Sequence, residues 1–124
     1  MTTTEIDFAI IMTSGPDTPK RLASPFFLAA TAAAEDMKVV VYFTGLGTLL
    51  LKRGEAEGLY AKTGGKSIAE FMNLARGNGA QFVACAMSMD LHDMKAQDLA
   101  FEMPMIGVAE ALPYLQAAKK LVSF

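Results

Sequence analysis

Apolar residues in this chain occur in short runs separated by helix-like and glycine-containing segments. Residues 5–13, 38–43 and 80–84 are rich in β-branched and aromatic side chains, a pattern that predicts strands. Two shorter runs, at residues 103–106 and 121–124, predict two more. Because near-continuous apolar strands are typical of parallel sheets buried on both faces, the alternation predicts a three-layer α/β/α fold. Its sheet is expected to be mainly parallel, with about five strands.

The segments between these runs predict helices. The first is expected to end near Asp36, and either Thr18-Pro19 or Ser24-Pro25 can begin it, because proline is favoured directly after a cap. The side chains expected on its buried face are Leu22, Phe26, Phe27, Ala30, Ala33 and Met37.

Three later segments also have helical character. Residues 46–53 predict a short helix, and Ser67 with Glu70 has the spacing of a capping box for a helix that ends near Gly77. The side chains expected to point inward from that helix are Ile68, Phe71, Met72 and Ala75. A last helix is predicted at residues 110–120, with Pro113 in its first turn because proline disrupts a helix interior.

The stretch at residues 80–94 contains the only cysteine of the chain, Cys85. The apolar strand pattern ends there, and we expect Ser88 to cap a helix that has Asp90 in its first turn. The positions of Leu91, Met94 and Ala96 are compatible with helical spacing. Cys85 is therefore predicted at a strand-to-helix junction, the edge of an open α/β sheet where ligands and reactive groups collect.

Composition limits the classes of protein that fit this pattern. A chain of 124 residues is expected to form one domain, and its 52% apolar residues with 19% charged residues favour a homo-oligomer. The net charge of −2 leaves no basic stripe, so a nucleic-acid partner is not expected. Residues 54–66 hold four glycines among mixed charges and predict a mobile surface loop.

We expect no membrane span, because polar residues and Pro25 interrupt the longest apolar run, residues 22–34, which is shorter than the ~20 residues that a span needs. The first residues do not resemble a signal peptide, since acidic and hydroxyl side chains stand where basic ones belong. A single cysteine excludes an internal disulfide framework and fits a reducing compartment. The expected location is the cytoplasm.

Several kinds of cysteine chemistry are disfavoured by the residues around Cys85. Phosphatase loops need an arginine six positions later, where this chain has Leu91, and rhodanese-type loops end in a basic residue where it has Asp90 and Asp93. A peroxiredoxin would have threonine in place of Phe82, and one cysteine cannot form a dithiol pair. No convincing phosphate-binding glycine motif is present.

What remains is a single thiol at a helix N-terminus, where backbone N–H groups and the helix dipole favour the thiolate. Asp90 and Asp93 oppose this effect, so moderate activation is expected. Such a thiolate is suited to accepting a sulfur atom from one partner and giving it to another as a persulfide. A purely structural buried cysteine is the open alternative, since free cysteine is among the most buried residue types.

A family resemblance rests on three parts of the sequence. They are Cys85-Ala86-Met87-Ser88-Met89-Asp90-Leu91, the strand end Phe43-Thr44-Gly45 with Leu49-Leu50-Leu51-Lys52 behind it, and Gly107-Val108-Ala109 with Leu112 and Leu121. Over nearly the whole chain the sequence resembles the DsrE/DsrF-like family. The resemblance implies a small α/β subunit, a trimer or hexamer, and a sulfur-carrier or sulfurtransferase role in which Cys85 bears the persulfide. It also implies rhodanese-like or TusA-like carriers as partners. No cofactor is expected.

The residues expected to line the site around Cys85 are Met87, Ser88, Asp90, His92 and Gly45. The chain departs from the family pattern at His92-Asp93-Met94, where relatives commonly have Met-Gly-Ile, and this bears on the local helix geometry and the choice of partner. Two other functions stay open. One is a non-catalytic scaffold or regulatory subunit; the other is a Cu(I) site built from His92 and five methionines, Met87, Met89, Met94, Met103 and Met105.

Overall fold

The computed structural model describes residues 5–124 and has a parallel sheet of five strands within that range. The strands lie in the order β4-β3-β2-β1-β5, and every neighbouring pair is parallel. Their bounds are β1 (Phe8–Met12), β2 (Val39–Phe43), β3 (Gln81–Cys85), β4 (Met105–Ile106) and β5 (Lys120–Ser123). The predicted three-layer fold is confirmed, and all five predicted strands are present with slightly different ends.

Four α-helices connect the strands in the described range: α1 (Ala23–Ala34), α2 (Ile68–Gly77), α3 (Ala86–Leu91) and α4 (Val108–Ala117). Single turns or short runs of 3₁₀ helix occur at Pro19–Arg21, Gly45–Leu51, Ala56–Gly58 and Ala96–Asp98. Helices α1 and α2 pack together on one face of the sheet, and α4 lies on the other. The short α3 follows β3 at the carboxyl edge.

The hydrophobic clusters on the two faces of the sheet differ in size. Under α1 and α2, Phe43 packs against Phe26 and Phe82, with ring centroids 5.9 and 4.9 Å away, at the centre of the larger core cluster. Under α4, a smaller cluster contains Ile6, Ala9, Val40, Tyr42, Val83, Cys85 and Ile106 from the sheet side and Ala111 with Tyr114 from the helix. Because side chains alternate along a strand, Val83 and Cys85 share this thinner face.

Local sequence signals explain where several elements begin. The predicted capping box of α2 is confirmed: Ser67 Oγ accepts a hydrogen bond from the Glu70 N–H at 3.2 Å, and the Ser67 N–H donates to Glu70 Oε2 at 2.7 Å. The predicted helix after β2 is present as the 3₁₀ helix Gly45–Leu51. The first helix begins after a separate 3₁₀ turn, so Pro25 lies in its first turn, where a missing N–H costs little.

Some predictions about side-chain direction and helix position are wrong. Phe27 and Met37 are 56% and 41% exposed rather than on the buried face of α1. The last helix begins at Val108, which places Pro113 beyond its first turn, inside the helix. The segment 54–66 is held in part, because Ala56 is buried in a 3₁₀ turn and Tyr60 forms an isolated bridge with Ser67.

The predicted register of α3 is also wrong. Cys85 itself is the N-cap residue, so Ser88 lies inside the helix and Asp90 lies near its end. Helix α3 ends at Leu91, and Met94 and Ala96 lie outside it. Helix α3 has only six residues and its C-cap is His92, so both positions lie beyond its end.

The end of α3 forms a Schellman motif. The Met94 N–H donates to the Met89 carbonyl at 2.8 Å, and the Asp93 N–H donates to the Asp90 carbonyl at 3.1 Å. Asp93 has a φ of 54°, the left-handed conformation that this motif needs and that glycine adopts most readily. Asp93 stands at the position of the glycine in Met-Gly-Ile, so this chain forms the turn at some cost in backbone strain.

Within residues 5–124, none of the helices combines the length and the apolar character that crossing a lipid bilayer requires.

Candidate functional site

Cys85 lies where β3 ends and α3 begins, as the sequence predicts. It pairs in register with Ile106 of β4, and on its other side the end of β2 leads into Thr44. This is the carboxyl edge of the parallel sheet, where strand ends and helix starts from several elements converge. The position brings side chains from β2, β3 and α3 to one thiol.

The Cys85 side chain is fully buried, with 0% exposure. It belongs to the cluster that α4 covers, together with Ile106, Ala111 and Tyr114. The sulfur is therefore not accessible in the folded structure, and α4 is part of the cover of its cluster. The cover is thin, since only Ala111 and Tyr114 of the helix are buried.

A polar group in this otherwise apolar region is organised by Ser88, which is 4% exposed. Its Oγ accepts a hydrogen bond from the Gly45 N–H at 2.9 Å and shares one with Thr44 Oγ1 at 3.0 Å. When Thr44 donates in this pair, the Ser88 oxygen accepts two hydrogen bonds and its own proton is available to a third group. The arrangement ties the start of α3 to the end of β2.

Tyr42 comes from the neighbouring strand β2 and shares the cluster of Cys85. Its hydroxyl oxygen is buried and has no hydrogen-bond partner among the described residues within ordinary geometric limits. A buried donor without a partner costs free energy, so its retention in an apolar cluster needs a reason.

The pKa of Cys85 reflects two opposing influences. Burial acts to raise the pKa of the thiol, but groups that can donate to the charged form outweigh it: the Ser88 hydroxyl, the Tyr42 hydroxyl and the Ser88 N–H. The Thr44 hydroxyl is a further such group when Ser88 is the donor in the Thr44–Ser88 pair. The net result lowers the pKa from the ordinary 9.0 to about 7. Burial, and then the adjacent sulfur, raise the pKa of Tyr42, which keeps its hydroxyl protonated as a donor.

The structure brings together only some of the residues predicted to line the site. Ser88 acts on the sulfur, and Gly45 supports Ser88 through its N–H. Met87 is 56% exposed and Asp90 is exposed. His92 Nδ1 lies 2.8 Å from the carbonyl oxygen of Ser88, at the end of α3. The groups that influence the thiol in the described chain are therefore neutral ones.

Two of the five methionines near Cys85 in sequence are part of the hydrophobic core. Met89 and Met94 are buried in the cluster beneath α1 and α2, whereas Met87 and Met105 are exposed. In residues 5–124 no group of three or more His, Cys, Asp or Glu side chains has the arrangement of a metal site. The buried Met89 and Met94 and the exposed Met87 and Met105 therefore lie in different environments.

Sequence reasoning missed Tyr42 and Thr44 as members of this site. A usable signal is present in the sequence: Tyr42 carries a hydroxyl inside the wholly buried strand β2, two residues before Thr44 at its end. Which strand lies beside β3, and which face Tyr42 occupies, depends on the sheet order.

The fold and the site define a class of protein: a parallel α/β/α domain with a single buried cysteine at the carboxyl edge of its sheet. The sequence matches the DsrE/DsrF-like family over residues 7–124, so the chain belongs to that family. No curated protein matches the sequence.

Two solved structures have the same fold. The ychN protein from E. coli is similar with a TM-score of 0.79 and 14% identity, covering 95% of this chain and 98% of that one. MTH1491 from Methanobacterium thermoautotrophicum, described as a protein of unknown function, is similar with a TM-score of 0.63 and 16% identity, covering 93% of this chain and 96% of that one. At these identities the likeness establishes the fold alone.

Proposed function

We propose that this protein is a sulfur carrier that holds sulfane sulfur as a persulfide on Cys85 and relays it between partner proteins. The observation that carries the proposal is the set of neutral donors around Cys85, which lowers the pKa of the thiol to about 7 at the junction of β3 and α3. Near neutral pH a large part of such a thiol is thiolate, the form that attacks sulfur. Membership in the DsrE/DsrF-like family supports a role of the sulfur-relay type.

The loading step is a thiol exchange that needs no oxidant. The Cys85 thiolate attacks the terminal sulfur of a donor persulfide, a new bond forms between Sγ and that sulfur, and the sulfur–sulfur bond of the donor breaks. The electron pair of the broken bond leaves with the donor, which becomes a thiolate, and the proton stays on the transferred sulfur.

Unloading reverses the roles. A thiolate of the acceptor attacks the terminal sulfur held by Cys85, and the bond to Sγ breaks with its electron pair returning to Cys85. The protein ends as the same thiolate with which it began. The hydrogen bonds that stabilise this thiolate therefore act in both steps, first on the nucleophile and then on the leaving group.

Transfer requires that α4 uncover the sulfur, because Cys85 has 0% exposure. Helix α4 is suited to this movement: Val108 and Leu112 on its outer side are 52% and 51% exposed, and Pro113 lacks the N–H that an interior helical residue donates. We propose that docking of a partner displaces α4 or its first turn.

The proposed partners are carriers similar to TusA or rhodanese, which present a persulfide or thiol of their own. The proposed setting is a reducing cytoplasm, where Cys85 stays reduced between cycles. A homo-oligomer of this chain is also proposed. It is supported by exposed apolar side chains on the two edge strands, Met105 of β4 and Leu121 of β5.

The test is to incubate the protein with a persulfide donor, such as a low-molecular-weight persulfide, and to measure its intact mass. The wild type should gain one sulfur atom, and the gain should be absent in Cys85→Ser and reversed by a thiol reductant. A second incubation with an acceptor thiol should return the protein to its starting mass. The proposal is contradicted if the wild type gains no sulfur and a variant in which α4 is destabilised gains none either.

Complete burial of Cys85 favours one other function, that of a scaffold or regulatory subunit whose cysteine only fills space. The two functions separate in one measurement. A thiol that resists small alkylating reagents in the native state, and reacts only at the rate of global unfolding, identifies the scaffold. Reaction that is faster than global unfolding identifies local opening around Cys85 and supports the carrier.

A further inference from the structure

We infer that the Tyr42 hydroxyl donates a hydrogen bond to the reacting sulfur of Cys85, both when this sulfur is the attacking thiolate and when it is the leaving group. This inference rests on the proposed function and deepens it, because it assigns a chemical role to a residue of β2 outside the Cys85 segment. The observation behind it is a buried donor without an acceptor next to the single buried cysteine.

The Tyr42 hydroxyl is buried in an apolar environment where it has a cost in free energy. The residue is 6% exposed and its oxygen makes no hydrogen bond to the described chain within ordinary limits. In an apolar cluster such a donor is a net cost, and phenylalanine would fill the same space without it. The buried Tyr42 hydroxyl has a use if the Cys85 sulfur accepts its hydrogen bond in the thiolate form. A thiolate is a strong acceptor, whereas a neutral thiol is a weak one.

The sheet register brings the hydroxyl and the sulfur to one place. Tyr42 pairs with Val83 on the parallel strand β3, and Cys85 lies two residues further on the same face. A residue at this diagonal position is within reach of a long aromatic side chain. The surrounding side chains, Ile106, Ala111 and Val83 among them, are apolar and exclude water, which strengthens a hydrogen bond to a charged sulfur.

The pKa shifts of Cys85 and Tyr42 agree with this geometry. The Tyr42 hydroxyl is among the groups that lower the pKa of Cys85, after the Ser88 hydroxyl, and the neighbouring sulfur contributes to raising the pKa of Tyr42. A single hydrogen bond explains both shifts: the Tyr42 hydroxyl keeps its proton and donates it to the Cys85 thiolate, which stabilises the thiolate and the protonated phenol together.

Donation by Tyr42 has opposite effects on the two halves of the transfer. A hydrogen bond to the thiolate lowers its pKa and also its intrinsic nucleophilicity, so each thiolate attacks somewhat more slowly while more thiolate is present. The same hydrogen bond makes Cys85 a better leaving group when the acceptor takes the sulfur. Tyr42 therefore favours release of sulfur over its retention.

The test compares Tyr42→Phe with Thr48→Val. Thr48 has the other hydroxyl that is buried without a hydrogen-bond partner among the described residues, but it lies in the 3₁₀ helix after β2 and is not among the groups that shift the pKa of Cys85. Each substitution removes one such hydroxyl with little change in shape. The pKa of Cys85 is read from thiolate absorbance during a pH titration, as the difference from the matching Cys85→Ser variant.

The wild-type thiol should titrate near 7, and Tyr42→Phe should raise its pKa by about one unit, because a hydrogen bond to a charged group is being lost. Thr48→Val should leave the pKa of Cys85 unchanged. Above both pKa values, Tyr42→Phe should load sulfur up to about threefold faster per thiolate and unload it more slowly.

A Tyr42→Phe protein whose Cys85 titrates as in the wild type overturns the inference, as does an equal shift in Thr48→Val. The failure of the proposed function gives a different result. In that case the pKa of Cys85 still rises in Tyr42→Phe, while the wild type gains no sulfur from the persulfide donor.

Discussion

The hydroxyl of Ser88 lies 3.0 Å from the hydroxyl of Thr44, so that the first turn of α3 is joined to the end of β2 by a side-chain hydrogen bond. The Gly45 N–H donates to the same Ser88 oxygen at 2.9 Å. Neighbouring strands of the sheet are thereby fixed relative to each other at the edge where Cys85 lies. The residue that was expected to cap α3 instead connects the helix to the sheet and supplies a donor to the thiol.

Replacement of Ser88 by alanine should damage both the fold and the thiol. It leaves the Gly45 N–H and the Thr44 hydroxyl without their partner, which should lower the free energy of unfolding by about 1–3 kcal/mol. It should also raise the pKa of Cys85, since the Ser88 hydroxyl is the strongest of the groups that lower it. Denaturant unfolding and the thiolate titration measure the two effects.

The matched control is Ser67→Ala, which removes another buried serine that caps α2. It should cost about 1 kcal/mol and leave the titration of Cys85 unchanged. If both serine variants shift the pKa of Cys85 equally, the hydrogen bonds of Ser88 are not the cause of its activation.

Asp93→Gly should stabilise the protein. Asp93 has a φ of 54° at the position after the C-cap of α3, and glycine adopts this conformation without the strain that a Cβ introduces. We expect a gain of about 1 kcal/mol in the free energy of unfolding, measured by denaturant titration.

Asp90→Gly is the control for the same helix, because Asp90 lies within α3 and is exposed. Glycine has a lower helix propensity than aspartate, so this variant should destabilise the protein by about 0.3 kcal/mol. Opposite signs for the two Asp→Gly variants test the Schellman motif directly, and a loss of stability in both would contradict it.

The stability of the protein should depend on pH through Cys85. The folded thiol releases its proton near pH 7, whereas the unfolded thiol keeps its proton to about 9.0, so the unfolded chain binds more protons between these values. Stability from this group is therefore fully present above about pH 9, declines as the pH falls, and is lost below about pH 7. Comparison with Cys85→Ser at each pH isolates the effect, which should be on the order of 2 kcal/mol across the window. Parallel stability curves for the two proteins would contradict it.

Pro113→Ala should slow the reaction of Cys85 with small thiol reagents. Alanine restores an interior N–H donor to α4 and removes the ring that crowds the preceding turn, which stabilises the helix that covers the sulfur. We expect the alkylation rate of the native protein to fall at least tenfold. An increase of about 1.4 kcal/mol in the free energy of opening α4 is enough to lower the open population tenfold.

Gln116→Ala, an exposed substitution on the same helix, is the control and should change the rate far less. A Pro113→Ala protein that reacts as fast as the wild type would mean that reagents reach Cys85 by a route other than the opening of α4.

The positions of the main elements follow from local sequence. The run that contains Val39–Phe43 forms a strand because its side chains suit a sheet buried on both faces, and Ser67 with Glu70 begins α2 because each caps the other. The position of Cys85 at the end of β3 also follows from a change of pattern within a few residues. The pattern misassigns the buried face at Phe27, whose neighbour Phe26 is the buried one, and at Met37, which lies beyond the end of α1 at Ala34.

The chemical neighbourhood of Cys85 does not follow from local sequence, because it is formed across strands. Tyr42 and Cys85 are 43 positions apart in the sequence and meet only because β2 lies beside β3 in one register. His92 is close to Cys85 in sequence, yet its ring makes its hydrogen bond at the carboxyl end of α3. Sequence distance is therefore a poor guide to which groups act on the sulfur.

By itself, the sequence determined the α/β alternation, the family and the location of the single thiol at a strand-to-helix junction, since these depend on short-range patterns and on one residue type. Only the tertiary structure decided that Cys85 is buried in the cluster under α4 and that the hydroxyls acting on it come from Tyr42 and from the hydrogen-bonded pair of Ser88 and Thr44. The physical reason is that burial and hydrogen bonding arise from the order and register of strands and from the helix packed over them. These relations join residues that are distant in the chain.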